Sequence, residues 1–469
     1  MISKRTFHIP ARRRAFRLML LAWSLGAFLS LCNRAAAASP AAETALKAGY
    51  GQVDITPPLG VSMPGYFQVR EASGVLDPLL AKALVLTKGE TTLAIIALDL
   101  IGVQADVVAA IREAVRAETG IPSGHVFVHA THTHTGANVS AIRDKLPGQA
   151  AAAVKQACAA QVSESRVALG SCPEPSVAFI RRYLMKDGTV RTNPGRGNPD
   201  IVRAMGEIDP NVYVLSFQKA RTLLVSYGLH PDCVSGTQFS ADYPGHLTTA
   251  VRESLGADWN VIYLNACCGN VNHINVKNTG QRSSPEESQR IGRTLARAAL
   301  TAHRNGALIS VDRLGARTQA VQCPVRKVPK DVYDWAKRQM EENPEEASKR
   351  KFNEPTPSRI IALAETKETT REAEVIAVRI GPVGLVGLPA ELFVEGGRDI
   401  KRHSLFDPTL VIGLTGGTMG YVPHPRGYDE GGYEATYASA RLAPETPILW
   451  SDTAGRLLKE LADQEGPSK

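Results

Sequence analysis

The chain has 469 residues, 43% of them hydrophobic and 21% charged, which is ample for a large core and, by length alone, for two or three domains. Its formal charge of +8 is no sign of a nucleic-acid partner: residues 1–38 carry seven Lys or Arg and no Asp or Glu, leaving about +1 for the rest. No basic stripe with interleaved aromatics revives that reading, so no nucleic acid is expected.

Residues 1–38 read as a removable export signal. Lys4, Arg5, Arg12, Arg13, Arg14 and Arg17 precede an apolar stretch at 18–32, and alanines 35–38 precede Ser39-Pro40. Arg13-Arg14-Ala15-Phe16 matches a twin-arginine pattern, which predicts a periplasmic or secreted protein exported after folding. The stretch is short for a membrane span, so a retained anchor is the weaker alternative. Residues 39–469 read as one large domain, with no internal repeat, no long linker and no further apolar run able to span a bilayer. Six cysteines remain (Cys158, Cys172, Cys233, Cys267, Cys268, Cys323) without CxxC spacing, which argues against a zinc ribbon. Disulfides and buried free thiols are equal alternatives for them.

In chain order, the text AGYGQVDITPPLGVSMPGY from Ala48 is rich in turn residues and predicts an ordered opening loop. Apolar runs at 83–86 and 93–101 flank Thr87-Lys88-Gly89-Glu90-Thr91-Thr92 and predict a hairpin. Val107, Val108, Ile111, Ala114 and Val115 form a helical stripe over 103–119 that stops at Gly120. The strand that follows, Val126-Phe127-Val128, leads into His132-Thr133-His134. Side chains at i and i+2 of an extended segment share a face, so this pair is expected to aim two imidazoles at one point. Strand, helix and strand at these lengths predict an α/β fold, with mixed sheets flanked by helices and ligands held at strand ends.

A helix is expected at 149–162, and a buried strand at 222–229 ends at His230-Pro231. Another strand at 260–265 runs into the irregular Ala266-Cys267-Cys268-Gly269-Asn270-Val271-Asn272-His273. Ser284-Pro285-Glu286-Glu287 opens a helix, with an N-cap serine and proline at its first position. Residues 326–372 are densely charged and read as a solvated helical excursion, with a lid over the site as the alternative. Strands at 374–380 and 383–387 follow, the second ending in Leu388-Pro389-Ala390-Glu391. The run 410–414 leads to Thr415-Gly416-Gly417-Thr418-Met419-Gly420-Tyr421, and a helix closes the chain at 447–461.

The segments ATHTHTG, LHPD, GLPAE and GYVP, in this order between Ala48 and about Leu461, resemble the catalytic domain of the neutral (alkaline, non-lysosomal) ceramidase family. The resemblance implies one zinc ion per chain, held by His132, His230, Glu391 and Tyr421, with Tyr428 and Tyr433 as nearby alternatives for the last. It implies a role beside the metal for His134, as proton donor or oxyanion stabiliser, and for Arg181, with Arg182 one residue away. Two imidazoles and a carboxylate form the ligand set of hydrolytic zinc sites, and zinc makes hydroxide available near neutral pH while polarising a carbonyl. The chain is therefore expected to cleave an amide, less readily an ester, of a small or lipid-like N-acyl substrate through zinc-bound hydroxide. Peripheral membrane contact is compatible with such a substrate.

One departure separates the chain from the family. Where ceramidases carry Gly-Asp-Val-Ser-Pro, this chain has Gly269-Asn270-Val271-Asn272-His273. The Asn272 amide can orient a substrate by hydrogen bonding but cannot replace a hydroxyl nucleophile, so the expected substrate is an N-acyl compound without commitment to ceramide. An exported, non-catalytic zinc-containing binding protein is the alternative from another class. Two rival HxH hydrolases lose ground: Gly136-Ala137 stand where a metallo-β-lactamase needs Asp and His, and two strand candidates precede a pair that amidohydrolase barrels carry on the first strand.

Overall fold

The computed structural model describes residues 45–349 and 352–463. The expected export signal at 1–38 lies outside the described residues. Three principal sheets carry the architecture, and each contains the same sequence of steps: an antiparallel hairpin, then a crossover with a helix, then a strand parallel to the hairpin's second strand. In the first sheet the hairpin is Leu80–Lys88 with Thr91–Leu98, the helix Ala105–Thr119 and the parallel strand Val126–Ala130. In the second, Asn211–Phe217 pairs with Thr222–Tyr227, and after the helix Tyr243–Leu255 the strand Asn260–Asn265 lies parallel to the latter. In the third, Thr370–Ile380 pairs with Val383–Gly387, and the helix Val394–Arg402 leads to the parallel strand Thr409–Ile412.

Strand periodicity explains why the three sheets meet. Leu84 and Leu86 face a central core while Ala83 and Val85 pack on the helices Ala105–Thr119 and Leu146–Ala159. Ile262 and Leu264 likewise face that centre, while Val261 and Tyr263 face the helices Tyr243–Leu255 and Pro285–Asn305. Ile376, Val378 and Ile380 supply the third wall, with Val375 and Ala377 turned toward the helix Thr446–Asp463. Strands buried on both faces read as continuous apolar runs, which is why they are visible in the sequence.

The opening segment differs from the loop expected of it. Lys47–Asp54 is a strand of the first sheet, paired along its length with Leu80–Lys88. Its glycines serve close packing: a Cβ on Gly49 would lie 2.1 Å from Ala157 O, and one on Gly51 2.2 Å from Ala153 O, so the helix Leu146–Ala159 rests on bare backbone. The long helix at Pro285–Asn305 starts as expected, with Ser284 Oγ accepting the Glu287 N–H at 3.2 Å. Among the described residues all six cysteines are free, and no helix is long and apolar enough to cross a membrane.

The charged segment 326–372 forms the helices Lys330–Glu342, Pro344–Ser348 and Pro357–Ala364. It is solvated along much of its surface, yet its far end is anchored. The Asn353 side chain exchanges two hydrogen bonds of 2.7 Å with the Thr192 backbone, and Phe352 stacks on Tyr433 at 4.8 Å.

Candidate metal centre

The carboxyl ends of the three parallel strand pairs are stitched together by His129. Its Nδ1–H donates to Gly413 O at 2.9 Å, and its Nε2 accepts the Asn265 N–H at 3.0 Å, so one neutral imidazole ties the first, second and third sheets. Gly413 N–H closes the set onto Asn265 O at 3.2 Å. Burial pushes the His129 imidazole down to about 3, which keeps it neutral and able to both donate and accept.

Each strand pair then delivers a side chain to one point just beyond those ends. His132 follows Val126–Ala130, His230 follows Thr222–Tyr227, and Glu391 follows Val383–Gly387. Tyr421 comes from the loop after Thr409–Ile412 and is fixed beside Glu391 by a short parallel pairing, Glu391–Leu392 with Tyr421–Val422. His132 Nε2, His230 Nε2 and Glu391 Oε2 form a nearly equilateral triangle with sides of 3.1, 3.2 and 3.2 Å. Four-coordinate zinc with bonds of about 2.0–2.1 Å separates its ligand atoms by about 3.3 Å, so the triangle has the dimensions of one face of such a site.

The hydrogen bonds behind the triangle decide what it can hold. His132 Nδ1 lies 2.6 Å from Ile101 O and His230 Nδ1 lies 2.9 Å from Cys268 O. A carbonyl only accepts, so both Nδ1 atoms carry the proton and both Nε2 atoms present lone pairs. Two lone pairs and a carboxylate oxygen facing one another in a buried space suit a cation, and Glu391 Oε2 is a buried oxygen with no hydrogen-bond donor. The donor set therefore fits a divalent metal ion. Tyr421 Oη lies 3.4 Å from His230 Nε2, and burial keeps its phenol protonated.

His134 joins this group by another route than strand alternation. The pair His132-Thr133-His134 lies past the end of the strand, and His132 has φ of 76°, a left-handed conformation that costs a non-glycine residue about 1 kcal/mol or more. That turn brings the two rings to 4.9 Å in an edge-to-face arrangement, and the imidazoles of His132, His134 and His230 offer nitrogens within 4.8 Å of one another. His134 is set back from the tight triangle. Both of its ring nitrogens are buried without a hydrogen bond, and burial lowers its pKa well below the usual value. Asp232 Oδ1 lies 3.9 Å from its Nδ1 and accepts the Tyr66 hydroxyl, while Arg70 Nη2 clamps the His134 carbonyl at 2.6 Å.

Arg181 and Arg182 part company. The Arg181 guanidinium lies 5.2 Å from the centre of the Tyr421 ring, with Nε on Glu434 Oε1 at 2.6 Å and Nη2 on Gly269 O at 2.8 Å. Arg182 points away, onto Glu430 and the carbonyls of Gly427 and Gly431. Asn272 hydrogen-bonds within the neighbouring loops: its Nδ2 donates to Asn193 Oδ1 at 2.7 Å and its Oδ1 accepts the Ile274 N–H at 3.0 Å. Tyr428 also sits elsewhere, with its hydroxyl on Leu442 O.

The triangle opens into a cleft of about 420 Å³, whose lining includes His132, His134, Glu391, Tyr421, Phe67 and Tyr433. Arg359 and Arg371, from the charged segment, also line it, so that segment borders the site. Tyr66, Arg70, Asp232 and Glu434 escaped the sequence reading. Asp232 alone had a signal, its place in Leu229-His230-Pro231-Asp232; Glu434 lies in a glycine- and tyrosine-rich loop without one.

No protein-family model and no curated protein sequence matches the chain. Solved structures do. Neutral ceramidase from Pseudomonas aeruginosa matches with a TM-score of 0.69 at 18% identity, over 91% of this chain and 76% of its own. A ceramidase complexed with C2 matches with a TM-score of 0.69 at 17% identity, over 91% and 77%. The fold is therefore mixed α/β, of the kind seen in neutral ceramidases.

Proposed function

We propose that the protein is a zinc-dependent hydrolase of N-acyl amides, exported through the signal read at 1–38. The observation that carries this reading is the His132, His230 and Glu391 triangle, with both imidazoles locked by backbone carbonyls in the tautomer that frees Nε2. It lies in a cleft on a ceramidase-like fold. Zinc, when bound, supplies a Lewis acid for a carbonyl oxygen and acidifies water. Two imidazoles and one carboxylate leave a coordination position for such chemistry, and the protonated Tyr421 is a weak ligand or a hydrogen-bond donor there.

The other side chains divide the remaining work. Hydrolysis adds water across the C–N bond, with oxygen to the carbonyl carbon and a proton to the departing nitrogen. His134, neutral and unpartnered in the cleft, is the group that holds or passes that proton. Arg181 stays charged despite burial, because the Glu434 carboxylate offsets its desolvation, and it offers a fixed positive field beside Tyr421 as charge develops on the acyl oxygen. Asn272 holds Asn193 and so the loop behind Arg181, whose backbone oxygen accepts from Asn193 N–H at 2.8 Å.

The test joins metal analysis to turnover on wild type and His132→Ala, with a panel of N-acyl amines that includes an N-acyl sphingosine. About one zinc per chain, with amide cleavage abolished by His132→Ala, is expected. Folded protein that takes up no zinc, or zinc-loaded protein inert toward every amide, overturns the reading.

A further inference from the structure

Neither ring nitrogen of His134 has a hydrogen bond, yet its backbone is held from two sides. Its N–H donates to Pro231 O at 3.0 Å, and its carbonyl accepts Arg70 Nη2 at 2.6 Å. The same guanidinium donates to Pro64 O at 3.0 Å and to Gly236 O at 2.8 Å, so one arginine joins the Pro64 loop, the turn at His134 and the loop after His230. These ties bring Asp232 beside the ring. Its Oδ1 lies 3.9 Å from His134 Nδ1, and among the described residues it is the only carboxylate in ion-pair range of that imidazole. Asp232 is held in turn, because the same Oδ1 accepts the Tyr66 hydroxyl. The Tyr66 ring meets His134 edge-to-face at 5.7 Å, and the Arg70 guanidinium covers it at 4.0 Å from its centre. Gly65 completes the enclosure, since a Cβ there would stand 2.8 Å from Nδ1. A carboxylate only accepts, so the nitrogen turned to it carries the proton of a neutral imidazole and the other presents a lone pair. The gap exceeds a charge-assisted hydrogen bond by about 1 Å, and catalytic hydrogen bonds are commonly long until substrate is seated.

We propose that Asp232 is a positioning residue for the hydrolysis: it keeps the His134 proton on Nδ1, leaving Nε2 to accept a proton from water and pass it to the departing nitrogen, while Tyr66 holds the carboxylate toward the ring. This rests on the amide-hydrolase reading and deepens it. The experiment measures kcat, KM and zinc content of the zinc-loaded protein, on the N-acyl amine it cleaves fastest, for wild type, Asp232→Asn, Asp232→Glu, Tyr66→Phe, His134→Ala and the double variant Asp232→Asn/His134→Ala. Proton–nitrogen NMR correlation spectra of the same proteins report which His134 nitrogen is protonated, with His134→Ala assigning the signal. Asp232→Asn is expected to lower kcat by about a hundredfold, with KM and zinc content little changed, because its amide can donate to Nδ1 and drive the proton to Nε2. Asp232→Glu extends a carboxylate into the gap and recovers about tenfold of that loss, and Tyr66→Phe lowers kcat by a smaller factor. In the His134→Ala background Asp232→Asn has no further effect on kcat, which a merely structural aspartate would not show. The spectra place the proton on Nδ1 in wild type and on Nε2 in Asp232→Asn. Losses that multiply with that of His134→Ala, an unchanged kcat, or zinc lost from Asp232→Asn overturns this inference and leaves the amide hydrolase standing. A wild-type proton on Nε2 overturns it whatever the variants do. If wild type hydrolyses no amide, that broader reading fails and the spectra alone decide: a proton that leaves Nδ1 in Asp232→Asn supports the pairing, and one tautomer in both proteins overturns it.

Discussion

Replacing Glu434 by glutamine removes one negative charge and almost no volume, from a place where the structure leaves no substitute. Glu434 is 0% exposed and Arg181 is 6% exposed, and their 2.6 Å contact joins two groups cut off from water. The carboxylate also accepts Thr192 Oγ at 2.6 Å, and Arg182 Nε lies 3.8 Å away. A glutamine can keep much of this hydrogen bonding, so the change reads mainly as lost charge. Unit charges about 4 Å apart interact by about 4 kcal/mol at an effective dielectric constant of about 20, and breaking a buried pair from one side costs about 3–5 kcal/mol. Arg182 retains Glu430 at 3.0 Å, so the uncompensated cation is Arg181. Urea unfolding of zinc-loaded Glu434→Gln should therefore show a stability loss of about 3–5 kcal/mol with an unchanged slope. The double variant Arg181→Met/Glu434→Gln should recover most of that loss, because two neutral groups no longer strand a charge. A loss below about 1 kcal/mol, or single-variant effects that simply add, would refute the claim that Arg181 is held beside Tyr421 by a buried counter-charge.

Two further outcomes follow from the packing and from the His129 tie. Gly49→Ala should destabilise the protein by about 1–3 kcal/mol or more, since its new methyl group meets the Ala157 carbonyl oxygen at 2.1 Å; a neutral effect by thermal unfolding would contradict the strand-on-helix contact. His129 has a folded pKa of about 3 against about 6.5 when unfolded, so its contribution is complete above about pH 6.5 and is lost as pH falls from there toward about 3. The slope from this residue is about 1.4 kcal/mol per pH unit across that window, and NMR should find its imidazole neutral with the proton on Nδ1 at pH 5, whereas a midpoint near 6.5 would remove it as a tie between sheets.

What could be read from the sequence was local. The strands at Asn260–Asn265 and Val383–Gly387 announce themselves because both faces are buried, and His132, His230, Glu391 and Tyr421 each sit in a short motif just past such a strand. The turn residues Pro57, Pro58, Gly60, Pro64 and Gly65 drew the strand Lys47–Asp54 into the expected loop, whereas Gly49 and Gly51 in that strand give a helix bare backbone to rest on. The HxH spacing pointed at the right neighbourhood through the wrong geometry, since His132 reaches it in a left-handed turn. Glu434 could not be seen because its meaning depends on Arg181, 253 positions earlier in the chain. The repetition of hairpin, helix and parallel strand left no trace in the text, because three different apolar sequences satisfy the same topology.

That repetition explains why the site lies where it does. In a parallel pair both strands end on the same side, so two loops emerge together and one can support what the other carries. The first pair puts His132 on one loop and its carbonyl partner Ile101 on the other; the second puts His230 and Cys268 in the same relation. The third gives Glu391 and Tyr421, aligned with each other. Three such pairs around one core converge their loops on one axis, and His129 pins that axis from beneath. A triangle with sides near 3.2 Å that is to hold a metal ion, as proposed, needs side chains held to within a few tenths of an ångström, which mobile loops on a single sheet do not ensure. Fixing each ligand to a different sheet, and the sheets to one another through a buried histidine, sets that tolerance by the core and leaves the cleft's outer wall to the charged segment that carries Arg359 and Arg371.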